Sequence, residues 1–170
     1  MHSFLIKQKY PSLNIGPGNA FLEKILPSSH IKISLDKNIK CLKYYKGIQN
    51  IHLINAVAEQ IPLRNNSIPT VTTQATFQIM RNQIAFLMEL HRIIMPKGFF
   101  IITICYHSRH NGDPFKISSD SNQDEIDKLK NFIEQLKLII LDIKYLDMNG
   151  KWVSKKSEGF SLWIIGKKEE

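Results

Sequence analysis

Along the chain, apolar and polar positions switch repeatedly between two periods. Short apolar runs of strand length fall at about Ser12 to Ile15, Ile31 to Leu35, Ile51 to Ala56 and Phe99 to Cys105. Between them lie stretches whose apolar positions recur every three or four residues, the mark of a helix with one buried face. Phe21, Leu22, Ile25 and Leu26 predict a helix from Asn19 to Leu26. Ile84, Leu87, Leu90, Ile93 and Ile94 predict a longer one from Ile84 to Met95, stopped by Pro96-Lys97-Gly98. Asn38 to Lys46 suits a short helix that Gly47 would end. Thr70 to Thr76 is read as a fourth strand, although threonines take the place of the continuous apolar run expected of a central parallel strand.

The last third predicts one more helix and two more strands. Ile126, Leu129, Ile133 and Leu136 keep helical spacing from Gln123 to Leu136, with acidic residues in the first turn. Leu138 to Leu146 and Phe160 to Gly166 read as strands six and seven. No helix separates them, so they form an antiparallel hairpin added to a parallel sheet. The fold class is therefore α/β, a doubly wound, mostly parallel seven-stranded sheet in a single domain over residues 1–170, with residues 1–10 as a short N-terminal arm.

Composition narrows the class without naming a function. Hydrophobic residues make up 43% of the 170 and charged residues 22%, ordinary for a globular domain. No apolar run approaches bilayer length, so no membrane partner is expected. Cys41 and Cys105 lie far apart without metal-ligand spacing, which predicts no metal, reduced thiols and a cytoplasmic setting. The formal charge of +8 favours an anionic partner, but the lysines and arginines are spread along the chain, and nucleic acid is not the expected partner.

The chemistry begins at Leu13-Asn14-Ile15-Gly16-Pro17-Gly18-Asn19-Ala20-Phe21. A strand runs into two glycines and out into a helix, which lets a ligand approach the backbone at the carboxyl end of the first strand. A plain structural turn accounts for two glycines equally well. A nicotinamide-dinucleotide fold is a further alternative, but Phe21 occupies the place of that fingerprint's third glycine.

Four segments together carry a resemblance. They are Leu13 to Phe21, then Ile33-Ser34-Leu35-Asp36, then Ala58-Glu59-Gln60-Ile61-Pro62-Leu63 with Asn66-Ser67, and Leu87-Met88-Glu89-Leu90-His91-Arg92-Ile93-Ile94-Met95-Pro96-Lys97-Gly98. In that order and spacing the chain resembles the class I S-adenosylmethionine-dependent methyltransferases, in particular their small-molecule, quinone-biosynthesis-like branch. The resemblance implies the strand order 3-2-1-4-5-7-6 with the last strand antiparallel. It also implies S-adenosyl-L-methionine as cofactor and methyl transfer to a small-molecule acceptor by in-line displacement.

The resemblance places the cofactor against Asn14, Gly16, Pro17 and Gly18, then Asp36 and Lys37, then Val57, Ala58 and Glu59, and finally Gln74 at the end of the fourth strand. Asp36, twenty residues after Gly16, would accept hydrogen bonds from the ribose hydroxyls; capping the following helix is its structural alternative. Phe77 or Ile61 would flank the adenine, with a plain core role as the equal alternative for both. Tyr106, His107 and His110 follow the fifth strand and are the candidates for handling an acceptor proton, with a solvated loop as the alternative for the histidines.

Several positions depart from the pattern. Asn14 and Val57 stand where acids are usual, Ala20 where a third glycine often falls, and Pro69 with the threonines that follow replaces an acidic residue and an apolar run. With about a dozen residues before the glycine turn, a second copy or a partner subunit is expected to complete the lid. A catalytically degenerate binding or accessory subunit is the alternative function.

Overall fold

The computed structural model describes residues 11–106, 114–117, 123–154 and 158–170. Its strands are β1 (Ser12–Ile15), β2 (Lys32–Asp36), β3 (Ile51–Asn55), β4 (Ile68–Gln74), β5 (Ile94–Cys105), β6 (Leu138–Leu146), β7 (Trp152–Val153) and β8 (Ser161–Lys168). The α-helices are α1 (Phe21–Ile25), α2 (Gln83–Ile93) and α3 (Gln123–Gln135), and 3-10 turns cover Ile39–Tyr45 and Phe77–Ile79.

One sheet holds every strand, in the order β3-β2-β1-β4-β5-β8-β6-β7. The first five run parallel; β8 lies antiparallel between β5 and β6, as the resemblance implies for the final strand. The expected count of seven strands needs one correction. Asp147 Oδ1 accepts the amides of Asn149 and Lys151 at 2.8 Å, closing a turn in which Gly150 takes φ 77. That turn reverses the chain tightly enough for Trp152 to pair with Leu146, adding β7 at the edge. A two-residue strand is too short to leave a periodic trace.

A second correction concerns Pro96-Lys97-Gly98, which lies inside β5 and does not separate helix from strand. The register jumps there, from Ile68 opposite Ile94 to Thr70 opposite Phe99, and Lys97 takes φ 63. Gly98 is needed at this irregularity because a Cβ would fall 2.9 Å from the carbonyl oxygens of both Met95 and Pro69. The threonine-rich β4 is nonetheless a central strand, with Thr70, Thr72 and Thr73 buried. Thr72 Oγ1 donates to Asn14 Oδ1 at 3.2 Å, so its polar group costs little there.

The core lies between one face of the sheet and helices α2 and α3. Phe86, Leu87, Leu90 and Ile93 from α2 and Ile126, Leu129 and Ile133 from α3 meet Phe100, Ile102, Ile104, Leu162 and Ile164 from β5 and β8. Burial of each such side chain is worth roughly 1.5–3 kcal/mol. Asn82 starts α2 by accepting the Ala85 amide at 2.9 Å.

The connection from β3 to β4 is held by a charged clamp on α2. Glu89 accepts the Ile61 amide at 2.6 Å and pairs with Arg92, also at 2.6 Å. The Arg92 guanidinium then donates to the carbonyls of Ile61 and Leu63, each at 2.7 Å. Arg92 and the Ile61 amide hold the Glu89 carboxyl below its ordinary range against the opposing effect of burial. This clamp fixes the segment that carries Ala58 and Glu59 beside the carboxyl edge of the sheet.

Candidate functional site

At the carboxyl ends of β1, β2 and β4 the chain leaves the sheet in three turns, and they enclose a cleft of about 430 Å³. Its first wall is the glycine turn. Gly16 takes φ 64 and Gly18 φ 55, conformations that side-chain-bearing residues seldom adopt. The Gly16 amide donates to Leu35 O at 2.8 Å and the Thr76 hydroxyl donates to Gly16 O at 3.0 Å, which ties the turn to both neighbouring strands. The Gly18 Cα faces open space, since a Cβ there would meet nothing within 4 Å.

The second wall follows β2. Asp36 and Lys37 line the cleft, and the segment beyond them adds Asn38 and Cys41. Asp36 Oδ1 accepts the Asn38 amide at 2.8 Å, so the capping role is real, while the same carboxyl group borders the cleft. Burial first, and then the neighbouring Asp36 carboxylate, push the Cys41 thiol above its usual range. Cys41 is therefore a poor nucleophile at neutral pH.

The third wall comes from Ala58 and Glu59 and from Gln74, Ala75 and Thr76 after β4. Glu59 Oε1 also accepts the Arg81 amide at 3.0 Å, linking this wall to the start of α2. Ile15, Leu35, Ile79 and Met80 make the floor apolar.

The predicted residues thus divide. Gly16, Gly18, Asp36, Lys37, Ala58, Glu59 and Gln74 are brought to one cleft, whereas Asn14, Pro17 and Val57 are not among its lining residues. Pro17 is buried in the turn, where its carbonyl accepts the Ala20 amide at 3.0 Å. Val57 stands 43% exposed beside the cleft. Asn14 is buried beneath it, and its amide donates to Glu23 Oε1 at 2.9 Å. Ser34 Oγ donates to the same oxygen at 2.5 Å, so a buried carboxylate from α1 sits under the turn. Burial and this carboxylate push the nearby Tyr45 hydroxyl above its usual range.

Phe77 and Ile61 belong to the core; the 3-10 turn that starts at Phe77 presents Ile79 and Met80 to the cleft instead. Tyr106 likewise packs in the core, where burial pushes its hydroxyl well above the usual range, which removes it as a proton acceptor near neutral pH. His107 and His110 lie outside the described residues. Sequence reasoning does not single out Thr76, Asn38 or Cys41. Their only sequence signal is position, since each follows within a few residues of a strand's carboxyl end.

A doubly wound sheet with a glycine turn, a terminal acid on the second strand and an apolar cleft between them defines a nucleoside-binding α/β class. Residues 13–102 match the family described as "Methyltransferase domain", and the chain belongs to that family as a class I S-adenosylmethionine-dependent methyltransferase fold. A stretch of 54 residues is 37% identical to the ubiquinone/menaquinone biosynthesis C-methyltransferase UbiE of Coxiella burnetii; it covers 32% of this chain and 22% of that relative's length. Among solved structures, a chain of the complex between the Haloferax volcanii Trm112 methyltransferase activator and a methyltransferase superposes with TM-score 0.74 at 12% identity, covering 97% of this chain and 85% of that one. A SAM-dependent methyltransferase from Aquifex aeolicus gives TM-score 0.68 at 17% identity over the same shares. No helix among the described residues is long and apolar enough to cross a membrane.

Proposed function

We propose that the chain binds S-adenosyl-L-methionine in the cleft between Gly16 and Asp36 and transfers its methyl group to a small-molecule acceptor. The observation that carries this reading is the cleft's chemistry. An apolar floor of Ile15, Leu35, Ile79 and Met80 suits a purine, and the Asp36 carboxyl at its border suits a ribose diol. Gly16 and Gly18 leave backbone exposed to the amino-acid end, and Ala58 and Glu59 stand where a base would be read. When bound, the sulfonium supplies an already electrophilic methyl group. The residues of the chain then need chiefly to fix its position and admit an acceptor in line behind it. Among the described candidates, neither Tyr106 nor Cys41 is suited to act as a base, and placement behind the methyl group supplies the larger share of the proposed rate gain.

A second reading has its own support. The buried Asn14 and outward Val57 withhold two side chains from the cleft, as expected of an accessory subunit that binds without catalysing. The Haloferax relative is found with an activator, and by analogy a partner subunit or a second copy of this chain would cover the cleft.

Calorimetry with S-adenosylmethionine, S-adenosylhomocysteine and a nicotinamide dinucleotide tests both readings. Binding of the first two with no dinucleotide binding supports the cofactor assignment. Preference for the dinucleotide would overturn it. Binding without methyl transfer to a panel of quinols and other small acceptors would select the accessory reading.

A further inference from the structure

The segment between β2 and β3 carries Lys37, Lys40, Lys43 and Lys46, one lysine every third residue. In an α-helix that spacing would drift around the axis. Here Ile39–Tyr45 is a 3-10 turn, in which residues three apart eclipse. Lys40 and Lys43 therefore project from one line, and Lys46, at the end of the turn, extends it; successive positions are about 6 Å apart. All four lysines are exposed. No Asp or Glu occurs from residue 37 to residue 58, and the ion pairs among the described residues use other lysines.

An aromatic ring stands beside the stripe, one position on from Lys43. Tyr44 is 40% exposed, with Lys43 Nζ 5.0 Å and Lys24 Nζ 5.9 Å from its ring centroid. With its two ammonium groups swung off the ring, this exposed aromatic side chain, beside a single file of cations, can stack a base while the lysines follow the strand's phosphates. The line is one charge wide, and its spacing is close to that of successive phosphates in an extended strand. Ile39 on the same segment is 61% exposed and Phe21, on the helix that carries Lys24, is 60% exposed, but the cations run in one file and not over the broad basic face that a lipid surface calls for.

We propose that the stripe of Lys40, Lys43 and Lys46, with Lys24 and Tyr44 beside it, is a docking surface for single-stranded nucleic acid. It adjoins the cleft, since Lys37, Asn38 and Cys41 line the one and lie on the segment that forms the other. Its occupancy does not depend on the identity of the cleft's ligand.

The test uses the full chain and a labelled single-stranded RNA of about a dozen nucleotides, with DNA of the same length and anionic phosphatidylserine vesicles in parallel. K40Q/K43Q/K46Q should weaken nucleic-acid binding at least tenfold, and should lower the slope of log affinity against log salt by about 2, near 0.7 for each phosphate no longer neutralised. Tyr44→Ala should cost at least about fivefold with little change in that slope. K97Q/K128Q/K130Q removes the same charge elsewhere and should leave affinity within about twofold. S-adenosylhomocysteine binding, measured on every variant, reports the fold and the cleft separately. Equal loss in the two triple variants would reduce the binding to diffuse charge and overturn the proposal. So would absence of RNA and DNA binding at low salt, or retention by vesicles alone. The RNA and DNA arms decide which strand is preferred, and binding of either on these terms supports the surface.

Discussion

The hydroxyl of Thr76 is bonded to the carbonyl of Gly16 at 3.0 Å, and the Thr76 side chain fills the space that a Cβ on Gly16 would need. Sixty residues apart in the chain, the two lock the glycine turn to the end of β4. Gly16→Ala meets two obstacles at once, the clash with Thr76 and the φ of 64. It should destabilise the fold by about 1–3 kcal/mol and abolish measurable cofactor binding. A double-mutant cycle with Thr76→Gly separates the two obstacles. The clash is relieved in the double variant and the backbone strain is not, so Gly16→Ala should cost less in the Thr76→Gly background than in wild type without becoming neutral. Strict additivity in urea denaturation would show that Thr76 does not constrain the turn.

Asp36 is placed both to cap and to bind. Asp36→Ala should weaken S-adenosylhomocysteine binding at least about threefold, one unit of thermal energy. Asp36→Asn keeps an oxygen for the Asn38 amide, held at 2.8 Å, but loses the charge. Its thermal stability should stay near wild type while affinity still falls. An unchanged dissociation constant in both variants, measured by calorimetry, would leave Asp36 only its capping role.

The Glu89–Arg92 clamp predicts a pH dependence whose sign is fixed by its chemistry. Arg92 and the Ile61 amide hold the Glu89 carboxyl below its ordinary 4.5. A depressed carboxyl contributes stability that is present above pH 4.5 and is lost as pH falls through the lower, folded value. Acid denaturation of wild type should therefore show a steeper loss below pH 4.5 than Glu89→Gln, whose curve lacks that contribution. Arg92→Lys should destabilise at neutral pH, because one ammonium cannot replace donors to Glu89, Ile61, Leu63 and Asn65. Parallel acid curves for wild type and Glu89→Gln would contradict the assignment.

Much of this architecture was legible because it rests on apolar periodicity. The bounds of β1 and β6 agree with the reading, and α2 and α3 differ from it by one or two residues at an end. What escaped has physical causes. The two residues of β7 depend on a turn closed by Asp147, and β5 begins early through an irregularity at Pro96-Lys97-Gly98. The glycine turn and Asp36 could be read as a site because their roles depend on backbone freedom and charge. Ile79 and Met80 could not, because the three-residue 3-10 turn that brings them to the cleft is too short to leave a periodic trace, and Cys41 lies on a segment read only as a short helix. The lysine stripe shows the same limit: period three becomes a line of charge only once the backbone is 3-10 rather than α.

The departure at Asn14 has a structural counterpart, and its energetics can be tested directly. Glu23 is 2% exposed, and its Oε1 accepts from Asn14 on β1 and from Ser34 on β2. Thr72 on β4 completes the chain by donating to Asn14 Oδ1 at 3.2 Å. A carboxylate carried by α1 thus joins three adjacent strands immediately beneath the glycine turn, where the strand itself carries an amide. Glu23→Ala leaves two buried donors without their acceptor and should cost about 2–5 kcal/mol. Asn14→Asp alone sets a second carboxylate against Glu23 and should also destabilise, since the donor at 2.9 Å is replaced by a like charge. Exchanging the groups, with Asn14→Asp and Glu23→Gln together, keeps one acid and one amide within the same cluster. Urea denaturation should then show the double variant more stable than the sum of its single changes by at least about 1 kcal/mol. Additive losses would mean that packing alone, and not the shared carboxylate, holds α1 against the sheet.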